Sequence, residues 1–112
     1  MNCRHIIYVP KTAEDMKSDW FGDETADTYE WNLSDDEFNA LWDCGVFEYL
    51  NAKFDVMIDA FEEELILYQY LYFHYEELIE ELNRFKCRHE VKILIKMINL
   101  TIKGRTYIGF FL

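Results

Sequence analysis

Charge divides this chain into two unequal parts, and any fold must accommodate both. Residues 1–82 contain 21 Asp and Glu against 4 Lys and Arg, whereas residues 83–112 contain 7 Lys and Arg against the single acidic residue Glu90. The net charges of the two parts are −17 and +6, and the whole chain carries −11. A concentrated charge of one sign steers the encounter with an oppositely charged molecule. The charge pattern therefore favours a protein that must find and cover a basic partner.

The acidity does not indicate disorder, because disorder requires low hydrophobicity as well as high charge. Hydrophobic residues make up 51% of the chain, and its 112 residues suit a single domain over residues 1–112. Aromatic residues make up 18%, more than a core of this size needs. We therefore expect some rings to lie at the surface, where Tyr and Trp commonly anchor interfaces.

The cysteines and the apolar runs predict the compartment. Cys3, Cys44 and Cys87 are odd in number and scattered, which is typical of reduced thiols in a cytoplasm, with no bridge required. The N-terminus lacks the apolar core of a signal peptide, and the most hydrophobic run, residues 65–73, is too short to span a membrane. The sequence predicts a cytoplasmic protein with no membrane segment.

Both ends of the chain have strand signals. Cys3–Val9 is a β-branched run stopped by Pro10, Thr28–Leu33 alternates large and polar residues, and Arg105–Leu112 offers a closing strand. The alternation places Tyr29, Trp31 and Leu33 on one face. Between the first two strands, the polar and acidic residues 11–27 predict a loop.

Two short helices follow the second strand. Ser34 and Glu37 have the spacing of a capping box, in which each side chain accepts a hydrogen bond from the other residue's backbone amide. Gly45 is placed to end this first helix in a left-handed conformation. Apolar residues spaced by three and four then predict a second helix over Val46–Phe54.

A long helix is predicted over about Ala60–Phe85. Its apolar positions step alternately by four and three residues, as in a heptad repeat. The favoured interpretation is a central core helix containing Tyr72, and the alternative is the seam of a homodimer. The repeat consists of Phe61, Leu65, Tyr68, Tyr72, Tyr75, Ile79 and Leu82.

Residues 91–102 are compatible with a strand by composition and with a helix by periodicity. Lys92, Lys96, Asn99 and Lys103 fall on one helical face, so we predict a helix over His89–Ile102 that Gly104 ends. The resulting class is α+β. About three short strands from the chain ends form a small sheet, which packs against about four helices including one long central helix.

A repeated Cys-Arg-His tripeptide raises the question of zinc. Cys3, His5, Cys87 and His89 supply ligand types for a tetrahedral site, but their spacing is unlike that of structural zinc motifs. Buried thiols beside surface histidines are the favoured interpretation. The acidic runs also lack the spacing of a calcium loop. We expect no metal and no cofactor.

Catalytic signals are weak. The two serines are Ser18 and Ser34, no glycine-rich loop is present to bind phosphate, and the runs of carboxylates resemble solvated helix faces. His74 is a candidate base, although a structural role is favoured. Direct binding of nucleic acid is opposed by the net negative charge. We expect Lys92, Lys96 and Lys103 to pair with acidic helices or to face solvent, and we expect no enzymatic activity.

The candidate partner-binding face lies between Asp19 and Glu48, where carboxylates surround all three tryptophans. The carboxylates would set the association rate and the rings the residence time. The predicted binding residues are Asp19, Trp20, Asp23, Glu24, Trp31, Asp35, Asp36, Trp42 and Glu48.

Small size, acidity, an N-terminal strand, the aromatic and acidic run from Tyr29 to Phe38 and the ending from Gly104 to Phe111 give the chain a family likeness. It resembles the immunity proteins of bacterial contact-dependent inhibition and related polymorphic toxin systems. The resemblance carries over no individual binding residue. It implies a cytoplasmic antidote that binds a cognate toxin domain, often a nuclease with a basic cleft.

The alternative is a phage-type decoy that mimics the phosphate backbone and blocks an enzyme acting on DNA or RNA. Both classes have an acidic field. A decoy presents an array of carboxylates to several enzymes, whereas an immunity protein recognises one partner by shape and a few anchors.

Overall fold

A computed structural model describes residues 5–12, 28–59 and 63–112. Within these residues four strands form one antiparallel sheet: β1 (His5–Pro10), β2 (Thr28–Leu33), β3 (Glu63–Leu67) and β4 (Tyr107–Phe111). The sheet order β2-β1-β4-β3 makes β1 and β4 the central strands and β2 and β3 the edges. The predicted α+β class is confirmed, with four strands instead of about three.

Five helices complete the described part of the chain. They are α1 (Asp35–Asp43), α2 (Val46–Phe54), α3 (Tyr68–Phe73), α4 (Tyr75–Leu82) and α5 (Arg88–Gly104). Helix α5 has 17 residues and is the long helix of the fold. It contacts β1, β4 and helices α1, α3 and α4, so it holds the helical layer together.

The helices with local signals begin and end where the sequence predicts. Ser34 caps α1 in the reciprocal capping box with Glu37, and Gly45 adopts a left-handed conformation with φ of 96° after α1. Helix α2 spans the predicted residues. These features depend on contacts within one turn of the chain, which is why the sequence reveals them.

The predicted helix over Ala60–Phe85 is wrong. Residues 63–67 form β3 instead, and the following residues form two short helices separated at His74. Strand β3 pairs with β4 in a register that sets Ile66 opposite Ile108, and both residues are buried. Tyr72, predicted to lie in the core, is 70% exposed. Pairing with a distant strand outweighs the local helical pattern here.

The helical interpretation of residues 91–102 is confirmed by α5. Lys92, Lys96, Asn99 and Lys103 are all exposed on its polar face, while the opposite face is buried against the sheet. No described carboxylate pairs with these three lysines, so they face solvent. Of the two expected outcomes for the basic stripe, exposure is the one observed.

The core lies between the helical layer and one face of the sheet. Its largest fully buried residues include Phe47 and Phe110, whose rings meet edge to face at 6.3 Å. On the other face of the sheet, the Tyr8 ring lies directly across Gly109. A Cβ atom at position 109 would meet ring atom Cε1 of Tyr8 at 2.6 Å, so this close approach requires glycine.

A disulfide joins Cys44 to Cys87, and the expectation of reduced thiols is wrong for this pair. The two residues are the C-cap of α1 and the N-cap of α5, and they are 43 residues apart in sequence. Their Cα atoms are 6.4 Å apart, within the usual range for a disulfide. A non-local contact of this kind cannot be deduced from three scattered cysteines.

Candidate interaction surface

Most of the exposed large hydrophobic residues of the described structure lie in one stretch of the chain. Phe73 is 81% exposed, Tyr72 is 70% exposed, and Tyr70, Leu65 and Met57 are exposed as well. Clustered exposed apolar side chains commonly mark a site of protein interaction. We call Leu65, Tyr70, Tyr72 and Phe73 the aromatic patch.

The local structure explains why these side chains point outward. Leu71, in the same short helix α3, is only 1% exposed and fixes the helix against the core. Since α3 has six residues, burial of Leu71 leaves Tyr70, Tyr72 and Phe73 on the outer side, while Tyr68 is half-buried. His74 then ends α3 through hydrogen bonds from its backbone amide to the carbonyls of Tyr70 and Tyr72.

Two grooves flank the patch and meet at His74. The first has a volume of about 930 Å³ and lies between residues 72–77 and the C-terminal part of α5, where it is lined by Asn99, Ile102 and Lys103. Its geometry is fixed by a hydrogen bond of 2.6 Å from the Tyr75 hydroxyl to Oδ1 of Asn99. This bond ties α4 to α5, so the groove has well-anchored walls.

The second groove, of about 370 Å³, lies between residues 53–56 and strand β3. Phe54, Val56, Ile66 and Tyr70 contribute to its lining, together with His74. An interface commonly has an apolar centre of this kind, into which a partner inserts its own anchoring side chains. The two grooves share His74 and include residues of the aromatic patch in their linings.

Carboxylates form the rim of this surface. Asp55, Glu63 and Glu76 are exposed around it, and Glu64 is half-buried at the start of β3. No described lysine, arginine or histidine lies within ion-pairing distance of these four carboxylates. These four carboxylates are therefore unpaired among the described residues, and the exposed cation in the same surroundings is Lys103, which lines the first groove.

The one lysine near the second groove is already paired. Nζ of Lys53 lies 2.9 Å from Oε2 of Glu77, a contact that joins α2 to α4. The hydrogen bond from Lys53, with its charge, lowers the pKa of Glu77, and the same bond raises the pKa of Lys53. Both groups thus stay charged near neutral pH, and Lys53 does not offset the rest of the rim.

The predicted binding residues fall into three groups: residues outside the described ranges, exposed carboxylates, and tryptophans that pack internally. Asp19, Trp20, Asp23 and Glu24 lie outside the described residues. The three predicted carboxylates that are described are exposed on α1 and α2, and their role in binding stays a prediction. They are Asp35, Asp36 and Glu48.

The two described tryptophans pack internally and are not exposed anchors. Trp31 is 8% exposed and belongs to the core, and Trp42 is half-buried with its ring 5.2 Å from that of Phe47. Sequence reasoning instead missed Tyr70, Tyr72 and Phe73. The available signal was the segment from residue 67 to 73, which is too apolar on all sides for one buried face.

His74 does not form a catalytic arrangement with the described residues. Its Nδ1 lies 3.8 Å from Glu77, and its ring contacts Phe54 and Phe73 edge to face. No hydrogen bond joins it to a described serine, threonine or cysteine side chain. Glu77 is already paired with Lys53. Among the described residues, His74 therefore has no activated nucleophile beside it, and it lies where the two grooves meet.

The candidate zinc ligands that the structure describes have other partners. Cys87 is bonded to Cys44, Nε2 of His5 lies at hydrogen-bonding distance, 3.2 Å, from the acceptor Oδ1 of Asp35, and Nε2 of His89 lies 3.6 Å from Glu37. Within residues 5–12, 28–59 and 63–112, no group of three or more His, Cys, Asp or Glu residues is arranged to hold a metal ion. Cys3 lies outside these ranges.

Comparisons with known proteins leave the surface as the principal guide to function. The sequence matches no family model, and neither a curated protein nor a solved structure matches the chain. None of the described helices has the length and apolar character needed to cross a membrane.

Proposed function

We propose that this chain is a binding protein that recognises a basic protein partner, and specifically an immunity protein that neutralises a cognate toxin domain. The observation that carries the proposal is the aromatic patch with its acidic rim. An apolar centre surrounded by charge is the anatomy of a protein interface. A basic toxin surface would complement this rim.

The two parts of the surface have different roles in the proposal. The exposed rings of Tyr72 and Phe73 become buried on binding and supply most of the affinity, because burial of aromatic side chains dominates interface energetics. The carboxylates raise the association rate and select a basic partner. An inhibitor needs both, since it must find the toxin quickly and release it slowly.

The acidic decoy is the competing interpretation. A phosphate mimic requires an array of carboxylates, and exposed apolar rings contribute nothing to that mimicry. The aromatic patch therefore favours a dedicated partner over general blocking of enzymes that act on DNA or RNA.

The proposal is tested by co-expression with the C-terminal domain encoded by the adjacent upstream reading frame, followed by purification through a tag on one chain. We expect a stable complex that loses the toxin's activity. Replacing Phe73→Ser should weaken the complex while leaving the fold intact. Failure of the two chains to co-purify, with each one folded, would contradict the proposal.

A charge-matched pair of variants tests the role of the rim. Glu76→Lys lies in the rim, whereas Asp43→Lys makes the same charge change at the end of α1. Asp43 precedes Cys44, which is bonded to Cys87 at the start of α5, and Glu76 follows Tyr75, which bonds Asn99. These two points on α5 are about 18 Å apart.

If the rim steers the partner, Glu76→Lys should slow association at about 0.1 M ionic strength more than Asp43→Lys does, because screening at that ionic strength limits each charge to about 10 Å. Equal effects from both variants would show that only the total charge matters. An association rate that does not change with ionic strength would contradict electrostatic steering.

A further inference from the structure

We propose that the partner contributes an extended strand that adds to the open edge of β3, with its side chains entering the groove beside residues 53–56. This inference rests on the proposed function and specifies how the partner binds. It also specifies the chemistry of the bound segment, which is a β-strand with alternating apolar residues and flanking basic residues.

The backbone of β3 is oriented for strand addition. Among the strands of the described residues, β3 is an edge of the sheet and pairs with β4 alone. The amide of Tyr68 donates a 2.9 Å hydrogen bond to the carbonyl of Thr106, which continues the β3–β4 register. In an antiparallel pair, the residues bonded to the neighbouring strand alternate with residues that point away from it.

The alternation identifies which groups face the open edge. Counting back from Tyr68, Ile66 and Glu64 bond to β4, and Glu63, Leu65 and Leu67 direct their amides and carbonyls outward. No hydrogen bond from a described residue satisfies these outward groups. An edge of unpaired donors and acceptors is a template for another strand.

The space beside this edge is suitable for a strand. The groove of about 370 Å³ separates β3 from residues 53–56, and an added strand would run about 4.8 Å from β3. Its alternate side chains would enter the apolar lining formed by Phe54, Val56 and Tyr70. The remaining side chains would lie beside Leu65 and Leu67 on the outer face of the sheet.

Charge complementarity decides in favour of a basic strand over a second copy of this chain. Glu63 lies at one end of the open edge and Asp55 lies across the groove, and neither is paired with a described cation. Each copy of the chain carries a net charge of −11, so edge-to-edge pairing of two copies would bring like charges together. Lys or Arg residues flanking a partner strand would instead find carboxylates at both positions.

Hydrogen exchange with a defined probe tests the proposal directly. The probe is a synthetic peptide of alternating Val and Thr with a pair of Lys residues at each end. Bound to the full chain, it should slow exchange of the Leu65 and Leu67 amides by about tenfold when about nine-tenths of the protein is occupied. The Ile66 amide, already bonded to β4, should change little. Matched control peptides with Glu in place of Lys, or with a central Pro, should not bind.

Two substitutions at one position separate the backbone from the side chain. Leu65→Pro removes an outward amide without removing a bond to β4, so the fold should persist, as prolines are tolerated on such edges. Leu65→Ala keeps the amide and removes the side chain. We expect Leu65→Pro to abolish peptide and toxin binding, and Leu65→Ala to weaken binding at most modestly.

The outcomes distinguish this inference from the proposed function. Should the toxin domain bind as tightly to folded Leu65→Pro as to the parent, strand addition is wrong while the immunity function stands. If Leu65→Pro does not fold, the exchange pattern of the parent protein decides. Unchanged exchange at Leu65 and Leu67 in a saturated complex overturns the inference. A dimer of the free chain that Leu65→Pro abolishes would also overturn it, because the occupant would then be a second copy.

Discussion

The first stability prediction concerns helix α3, in which a buried and an exposed side chain lie two residues apart. Leu71 is 1% exposed, and truncating such a leucine to alanine costs about 3 to 5 kcal/mol. Phe73 is 81% exposed, so of a phenylalanine surface of about 200 Å² only about 40 Å² is buried. At about 25 cal/mol per Å², Phe73→Ala should cost about 1 kcal/mol.

The assay is urea denaturation of both variants, with unfolding monitored by far-ultraviolet circular dichroism. We expect a large shift of the midpoint for Leu71→Ala and a small one for Phe73→Ala. The two variants should reverse order in binding, where Phe73→Ala weakens the toxin complex by about 2 kcal/mol or more, as a hot-spot residue does. If Phe73→Ala destabilises the fold as much as Leu71→Ala, the ring packs internally and the aromatic patch is misidentified.

Three further predictions concern the rest of the fold. Gly109→Ala should destabilise the protein by about 1 to 3 kcal/mol in thermal melts, because the new methyl group overlaps a tyrosine ring, and an unchanged midpoint would refute that packing. Reducing the Cys44–Cys87 disulfide should lower the free energy of unfolding by about 4 kcal/mol for a separation of 43 residues, and denaturation with and without dithiothreitol measures this directly. The lowered pKa of Glu77 means that its pairing with Lys53 stabilises the fold at neutral pH and is lost as the pH falls through the folded pKa, below the ordinary value of 4.5. Glu77→Gln should therefore lose less stability on acidification than the parent, and an identical acid limb would contradict the pairing.

Features that depend on neighbours within a few residues were predictable from the sequence. The capping box of Ser34 and Glu37 and the left-handed Gly45 follow from local hydrogen bonding and backbone conformation. The polar face of α5 follows from periodicity alone. The interpretation of residues 91–102 as a helix succeeded because four polar residues agree on one helical face, despite a composition rich in β-branched residues.

Features that depend on distant residues were not predictable from the sequence. Residues 63–67 form a strand because β4 lies beside them, and Ile66 pairs with Ile108 some forty residues later. The heptad pattern contains no information about that pairing. Once this segment is a strand, the continuous helix is impossible, and the rings that followed it in sequence are left on the surface.

The expectation that Trp31 and Trp42 are exposed anchors failed for a simpler reason. The alternation in β2 already put Trp31 on the same face as Leu33, and a face shared by two large apolar residues is a core face. The carboxylates near Trp31 and Trp42 suggested an interface, yet acidic residues at a helix start also stabilise its dipole, as Asp35, Asp36 and Glu37 do in α1. Charge and aromatic residues adjacent in sequence point in different directions in the structure.

The central claim, that the aromatic patch and its acidic rim bind a basic partner, is tested most directly by mapping hydrogen exchange of the chain alone and in complex with the toxin domain. The account predicts slower exchange across residues 63–77 in the complex, with no change along the exposed lysine face of α5 around Lys92 and Lys96. Protection confined to α1 or to the lysine face, with residues 63–77 exchanging as in the free chain, would contradict it.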